Sequence, residues 1–587
     1  MSRLLLLLVV IFYLVSLIKS TPLDDYVWKQ DDNYKWEDLG EKGMFTGKFG
    51  TRGYTGYTVN MTSQRWLTDA DFSANSQSGS IWWHYLVIIV PDDVEYTRNG
   101  TMYITGGSND ATSAPPAGDS EDVMVTAAIA TGSKTISGCL FQIPNEHTTF
   151  AADPLQKSRT EDGIIAFTWD HFLNDPSQPE WLLRFPMVKA SLRAMDTISD
   201  FAAKKFPDKN YQLDYYTVAG ASKRGWTTWD VGAVDGGRVQ AIVPIVLDAI
   251  NFVDVMHHQY KSYNGWSFAL KDYTEMDIMS RLDSDNMHSL QENVDPYFYK
   301  DRLTMPKLVV NAVMDEFQQP DDTRYWWSGM PEPKHFMIVP NAEHSLITGI
   351  LQVVPAITAW VKYNLEKSVV PKMDWTIDET TGEITVTLNE HGIVHEANVW
   401  HAYSCGVNVD GSHRRDFRVA MLDSPCSCGV TYEGTCANLK SFWSKTPLNY
   451  TMEGIHRTYK GLVEPPSDGR WVAFMVEVTY SKLHLKSNDN RQLFQRPDIK
   501  DKIKDKIDEK IQDKKDEIHD KIEDKEQEVI DKWINVKAEV NGKIIDKFPE
   551  IPHDLLGRLR FTSEVSILPN TFPFADCSGA DCKGTLV

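Results

Sequence analysis

Thr217-Val218-Ala219-Gly220-Ala221-Ser222-Lys223-Arg224-Gly225-Trp226 is the stretch from which the fold of this chain is read. A short apolar β-type run ends in a Gly-x-Ser turn, and a helix-like segment follows. A serine on a sharp strand-to-helix turn is held clear of the sheet. Small residues at Gly220, Ala221 and Gly225 allow the close backbone approach that such a turn needs. The helix N-terminus favours negative charge developing beside it, so Ser222 is a candidate nucleophile. The common hydrolase turn is Gly-x-Ser-x-Gly, whereas here the second glycine comes one residue later, behind Lys223 and Arg224. On its own the turn fits a plain strand-to-helix corner equally well, and its partners must decide.

Those partners lie downstream. Strand-like runs at Tyr215 to Ala219, Ala241 to Leu247, Lys307 to Val313 and His335 to Val339 alternate with helical stretches. Alternating β and α units imply an α/β domain with a mostly parallel sheet and helices on both faces. Ligand sites in such sheets lie at the carboxyl ends of the strands. Asp315 follows the third of these runs and His344, in Pro340-Asn341-Ala342-Glu343-His344-Ser345, follows the fourth. Ser, Asp, His is the triad order of an α/β-hydrolase. A neutral histidine takes the serine proton, and a buried carboxylate fixes its tautomer. Asp321 and Asp322 are the alternatives for the acid, with Asp315 preferred because it comes directly after its strand. Two backbone donors are needed for an oxyanion, and the candidates are Lys223 and Gly107 of the Gly106-Gly107 pair, which otherwise reads as a plain tight turn.

Upstream, the strand-like runs at Trp83 to Val90 and Gly100 to Thr105 read as a hairpin around Asn99-Gly100. Ser120 to Thr131 suits a helix, Ser137 to Ile143 a strand, and Pro186 to Phe206 a long amphipathic helix. Residues 21–80 lack sustained periodicity and read as an extension packed on an α/β domain spanning 81–370. Within that domain, residues 249–305 form a cap-like insertion. The Met256-His257-His258 histidines there read as surface or pocket-lining residues rather than metal ligands. From 371 to 587 short alternating runs, Phe417 to Met421 and Leu559 to Ile567 among them, describe a small β-sandwich. It carries a Lys/Asp/Glu/Ile-rich insertion at 491–550. Between Asp498 and Lys532 that insertion holds fourteen acidic and ten basic residues with Ile499, Ile503, Ile507 and Ile511 every fourth position, so it reads as a solvated charged helix or a disordered segment.

The first 20 residues, one cation followed by an apolar run from Leu4 to Ile18 and then small residues, have the form of a signal peptide. No later run offers the roughly 20 apolar residues of a membrane helix. A formal charge of −22 on 587 residues excludes phosphate-backbone binding as the main business of the chain. Seven cysteines in an exported chain imply disulfides with one residue left over. Cys405, Cys426, Cys428 and Cys436 cluster, Cys577 and Cys582 close a short loop, and Cys139 is the odd one. Asn60, Asn99 and Asn449 head glycosylation sequons.

Several stretches together resemble the PhoPQ-activated pathogenicity-related protein family of secreted α/β-hydrolase-fold proteins. They are Ile104-Thr105-Gly106-Gly107, Arg184-Phe185-Pro186-Met187, Gly220-Ala221-Ser222-Lys223-Arg224-Gly225-Trp226-Thr227, Asp295-Pro296-Tyr297, Pro340 to Ser345, Arg415-Asp416-Phe417-Arg418 and Phe561-Thr562-Ser563-Glu564-Val565. In that family the Ser-Lys-Arg-Gly turn looks normal. The resemblance implies an extracellular factor that limits growth of the cells releasing it, acting through a surface receptor and in company with other secreted proteins. The alternative it implies is a secreted serine hydrolase, dipeptidyl-peptidase-like or an esterase, with a peptide or ester substrate. Neither reading calls for a metal or an organic cofactor. A glycan-binding wall protein is a third reading, resting on aromatic-rich loops and the sandwich.

Overall fold

The computed structural model describes residues 20–480 and 558–587, apart from residues 111, 389–392, 406–412, 423–425, 427, 433–434, 439 and 455. The signal-peptide run through residue 19 and the charged insertion at 491–550 lie outside the described residues.

A ten-stranded sheet organises the first two thirds of the chain. Its strands are β1 (Lys35–Asp38), β2 (Met44–Phe49), β3 (Arg52–Arg65), β4 (Ile81–Pro91), β5 (Asn99–Ile104), β6 (Ile136–Leu140), β7 (Tyr215–Ala221), β8 (Val239–Ile245), β9 (Lys307–Ala312) and β10 (Lys334–Val339). They lie in the order β1-β3-β4-β6-β5-β7-β8-β9-β10, with β2 paired to β3. From β6 to β10 all neighbours run parallel, while β1 to β4 are antiparallel. The stretch set apart in sequence as an N-terminal extension thus contributes three strands to this sheet.

The run Leu86-Val87-Ile88-Ile89-Val90 of β4 shows how the sheet is covered on both faces. Leu86 and Ile88 belong to the core cluster that includes Met195 and Ile198, whereas Val87 and Ile89 pack with Val123 and Ala127 on the other face. A strand covered on both faces reads as a continuous apolar run rather than an alternation. Helices supply those covers. In chain order they are α1 (Pro22–Trp28), α2 (Glu121–Ser133), α3 (Glu161–Asn174), α4 (Arg184–Lys205), α5 (Lys223–Val234), α6 (Phe252–Tyr263), α7 (Lys271–Glu275), α8 (Asp285–Val294) and α9 (Ile350–Leu365). The mostly parallel sheet with helices on both faces is the α/β-hydrolase architecture.

The hairpin expected around Asn99-Gly100 does not form. β6 lies between β4 and β5, and Asn99-Gly100 opens β5, paired to Tyr215 and Tyr216 of β7. The reason is burial: Met102 and Ile104 are almost fully enclosed only because β5 sits inside the sheet with partners on both edges.

After α9 the chain turns to antiparallel sheets. β11 (Met373–Ile377) and β12 (Ile384–Leu388) are followed by β13 (Val394–Tyr403), β14 (Ala420–Met421), β15 (Gly429–Tyr432) and β16 (Thr435–Asn438). The remaining strands are β17 (Ser444–Pro447), β18 (Tyr450–Glu453), β19 (His456–Gly461), β20 (Val472–Tyr480), β21 (Arg560–Thr562) and β22 (Ser566–Leu568). They make a four-stranded sheet, β11-β12-β19-β18, a five-stranded one, β17-β13-β20-β21 with β22 on β20, and a three-stranded one, β14-β16-β15. β20 is buried at every residue. Val472, Phe474, Val476 and Val478 join Ile384, Val386 and Tyr459 in one core, and Ala473 and Met475 join the core of the α/β region. Two sequence expectations are corrected here. Phe417 to Met421 is a strand only at Ala420–Met421, and the Leu559 to Ile567 run is split into β21 and β22. Arg415 and Arg418 reach out to Asp321 and Ser267, and the Ser563 hydroxyl accepts the Val476 N–H in place of a backbone carbonyl, which interrupts regular strand pairing at both places.

Three disulfides form, Cys405–Cys428, Cys426–Cys436 and Cys577–Cys582, leaving Cys139 free and buried in β6. No helix among the described residues is long and apolar enough to cross a membrane. Phe474, fully enclosed between the two sheets, is the natural probe of the β region. Phe474→Ala is expected to lower stability by about 3–5 kcal/mol, read as an earlier midpoint in denaturant; a loss below about 1 kcal/mol would contradict this packing.

Candidate active site

Ser222 sits between the last residue of β7 and the first of α5, with φ 57° and ψ −127°. A non-glycine residue is strained there, and the turn persists because its neighbours enforce it. A Cβ on Gly225 would stand 2.6 Å from the Ile245 carbonyl oxygen, and one on Gly220 2.6 Å from the Arg224 carbonyl oxygen. Both positions therefore require glycine. The Ser222 N–H donates to the Ile245 carbonyl at 2.8 Å, which ties the turn to the end of the neighbouring strand.

The three candidate residues meet. His344 Nε2 is 2.7 Å from Ser222 Oγ, and His344 Nδ1 is 2.7 Å from Asp315 Oδ2. The other Asp315 oxygen accepts the Phe317 N–H at 2.7 Å, so the carboxylate faces the imidazole in one orientation. Burial alone would lower the His344 pKa, but the Asp315 charge and hydrogen bond, helped by Glu316, outweigh it and hold the imidazole above its ordinary value. Asp321 and Asp322 turn elsewhere. Asp321 pairs with Arg415 through both oxygens, at 3.1 and 2.5 Å, and Asp322 accepts at 2.6 Å from His258.

Of the oxyanion candidates, Lys223 lines the same cavity as Ser222. Gly107 does not line it; it has φ +126° and its Cα faces the Gln142 side chain. The histidine pair in α6 is neither pocket-lining nor a matched set. His257 bridges Asp283 and Asp576 at 3.0 and 2.8 Å, while His258 is fully buried beside Asp322 and Arg415. His257 also lies near Cys577 and Cys582, but those sulfurs are bonded to each other and are not thiolate ligands.

Sequence reasoning missed what neutralises the two cations behind Ser222. Lys223 Nζ lies 2.8 Å from Glu161 Oε2 and 2.9 Å from Asp162 Oδ2, and Arg224 donates to the other Glu161 oxygen. Burial would raise the Glu161 pKa; Arg224 and Lys223 reverse that and keep it ionised. The signal was present as Thr160-Glu161-Asp162 opening a helix, but nothing local linked it to residue 223. Glu316 was missed too. It accepts the His344 backbone N–H at 3.1 Å, and burial together with the Asp315 charge raises its pKa to about 7.

A cavity with about 80 Å³ of room for water-sized groups, partly open to solvent, lies beside Ser222 and His344. Leu247, Ala249, Phe252, Met256, Leu270, Tyr273, Ile278, Met279 and Leu282 are among the residues that line it. The cap-like insertion proposed at 249–305 thus supplies much of its wall.

A serine on a sharp turn after a central strand, with a carboxylate after β9 and a histidine after β10, is the layout of the α/β-hydrolase fold. The chain belongs to the PhoPQ-activated pathogenicity-related protein family, which it matches over residues 23–418. It is 33% identical over 592 residues to autocrine proliferation repressor protein A of Dictyostelium discoideum, an alignment covering 100% of this chain and 97% of that protein. Solved structures similar to it include acetyl xylan esterase 1 from Thermoanaerobacterium sp. JW/SL YS485, with 12% identity and a TM-score of 0.36 over 55% of this chain and 86% of the esterase. Another is the acetyl xylan esterase from Paenibacillus sp. R4, with 10% identity and a TM-score of 0.37 over 60% and 96%. Likeness at that level says nothing of substrate.

Attack by Ser222 needs neutral His344. Because the folded-state pKa is raised, imidazolium persists to higher pH, and reactivity rises only as pH passes that value. The rate of Ser222 labelling by a fluorophosphonate should therefore show an acid limb with its midpoint above the ordinary 6.5. Asp315→Asn should move that limb to lower pH and cut the plateau by about 10⁴-fold. An unshifted limb in the variant would mean that Asp315 does not act on His344.

Proposed function

We propose that this protein is a serine hydrolase working by acyl transfer. The observation supporting it is the unbroken chain of hydrogen bonds from Ser222 through His344 to Asp315, opening on one apolar cavity. In this reading Ser222 Oγ attacks a carbonyl carbon while His344 Nε2 takes its proton. Asp315 stabilises the imidazolium, and His344 then protonates the leaving group. The Lys223 N–H at the start of α5 receives the oxyanion. Water, activated by the same histidine, releases the acid.

A second reading is favoured by the identity to autocrine proliferation repressor protein A, which runs the full length of this chain. In it the protein is released from cells and restrains the growth of those that release it, through a surface receptor and together with other secreted proteins. The apolar run near the N-terminus, three sequons and three disulfides support export. The two readings are compatible, since a scaffold with a working site can also signal.

Fluorophosphonate labelling of the secreted protein and of Ser222→Ala, with both also applied to growing cells, separates them. Wild type should be labelled and the variant should not. Failure of the folded variant to slow growth would place the signal downstream of catalysis, and full retention would assign it to the scaffold. A folded wild type that takes no label would sink the hydrolase reading.

A further inference from the structure

Apart from Ser222, His344 and the indole N–H groups of Trp169 and Trp226, the polar side chains on the cavity wall are Asp162, Lys223, Tyr273 and Gln318. All four are committed to the protein. Lys223 is held between Glu161 and Asp162 at 2.8 and 2.9 Å, and Tyr273 donates to the second Asp162 oxygen at 3.0 Å. Gln318 accepts from the Asp248 N–H and donates to the Val246 carbonyl at 3.1 Å. An anion reaching for Lys223 meets two carboxylates already there. An ammonium reaching for Asp162 meets Lys223. Either ligand would have to break a largely buried ion pair, which costs more than the new contact returns.

What remains to hold a ligand is apolar surface. Trp169 stacks on Phe252 at 5.1 Å between ring centroids and meets Tyr273 edge-on at 5.4 Å, giving a rigid aromatic wall. Met256, Met279 and Leu282 face the cavity from the cap, and the Phe317 ring, 4.4 Å from the His344 ring, carries the apolar surface up to the reacting atoms. Burial of a chain against such a wall is worth roughly fourfold in affinity per methylene.

On the serine-hydrolase reading given above, we propose that this cavity takes the acyl side of an uncharged ester whose chain is several carbons long and apolar. Ser222 Oγ bonds to the acyl carbon and the bond to the alcohol oxygen breaks. The serine proton passes by way of His344 to that oxygen, so the alcohol leaves neutral. Water then returns the acyl group as a free carboxylic acid. A peptide substrate that needs its N-terminal ammonium recognised finds no free carboxylate among the described residues of this wall.

The test uses the full-length secreted protein with p-nitrophenyl esters of constant alcohol and increasing acyl chain, acetate, butyrate, hexanoate and octanoate, beside a monosuccinate ester that ends in a charge. Ser222 labelling by a fluorophosphonate is measured first. With labelling intact, kcat/KM should rise at least about tenfold from acetate to hexanoate, and the succinate should be poorer than butyrate. Met279→Trp, which fills the cap side, should lower the hexanoate-to-acetate ratio at least about fivefold. Equal turnover of acetate and hexanoate, or preference for the charged ester, in a protein that does label would overturn the acyl-chain proposal and leave the hydrolase reading standing. Absence of labelling would overturn both. If Met279→Trp does not fold, the wild-type series alone decides.

Discussion

Everything at the candidate site depends on how closely α5 can approach the end of β8. Gly225 lies against the Ile245 carbonyl with no room for a side chain, and Ser222 donates its N–H to that same carbonyl. Because the helix is that close, the chain must turn sharply at residue 222, and the serine takes a backbone conformation it would not otherwise choose. The strain holds Oγ clear of the sheet, at the N-terminal end of a helix and within 2.7 Å of His344. A larger residue at 225 would push the helix away and remove all three properties together.

The second requirement is that two separate loops hold Asp315 and His344 in register with that serine. The C-terminal β region supplies much of the hold. Asn341, three residues before His344, exchanges two hydrogen bonds with the Trp443 backbone at 3.0 and 2.7 Å. The Met314 carbonyl, next to Asp315, accepts the Val419 N–H at 3.1 Å. Arg415 reaches Asp321 at the far end of the acid loop, and Arg418 reaches Ser267, whose hydroxyl donates to the Glu316 carbonyl. Buried ion pairs of this kind add little net stability, since desolvation offsets most of their attraction, but each leaves an expensive unpaired charge if its partner moves. They therefore fix position more than they stabilise the fold. The sandwich and the α/β region are thus one working unit, although their sequence patterns differ.

Much of this was legible before any coordinates. The strands that end at residues 221, 312 and 339, each within two residues of the expected end, the long α4 helix and the cysteine left over in β6 follow from local patterns: apolar runs bounded by small or turn residues, helical spacing, and parity. The Ser, Asp, His order placed the site because a parallel sheet presents all its strand ends on one side. The hairpin at Asn99-Gly100 misled because the dipeptide chemistry is local, whereas the insertion of β6 between β4 and β5 is decided by burial on both edges of β5. Phe417 to Met421 misled as a strand run for a similar reason, since Arg418 is held by Ser267, 151 residues away.

By itself the sequence determined the class of fold, the serine and the histidine of the candidate site and the family to which the chain belongs, because those rest on periodicity and on residue types at strand ends. Only the tertiary structure decided which aspartate faces His344, what quiets the Lys223 and Arg224 charges, and what chemistry the cavity wall offers. Each of those depends on a distance between groups far apart in the chain. Electrostatic and hydrogen-bond energies fall off over a few ångströms in space and are blind to separation along the sequence.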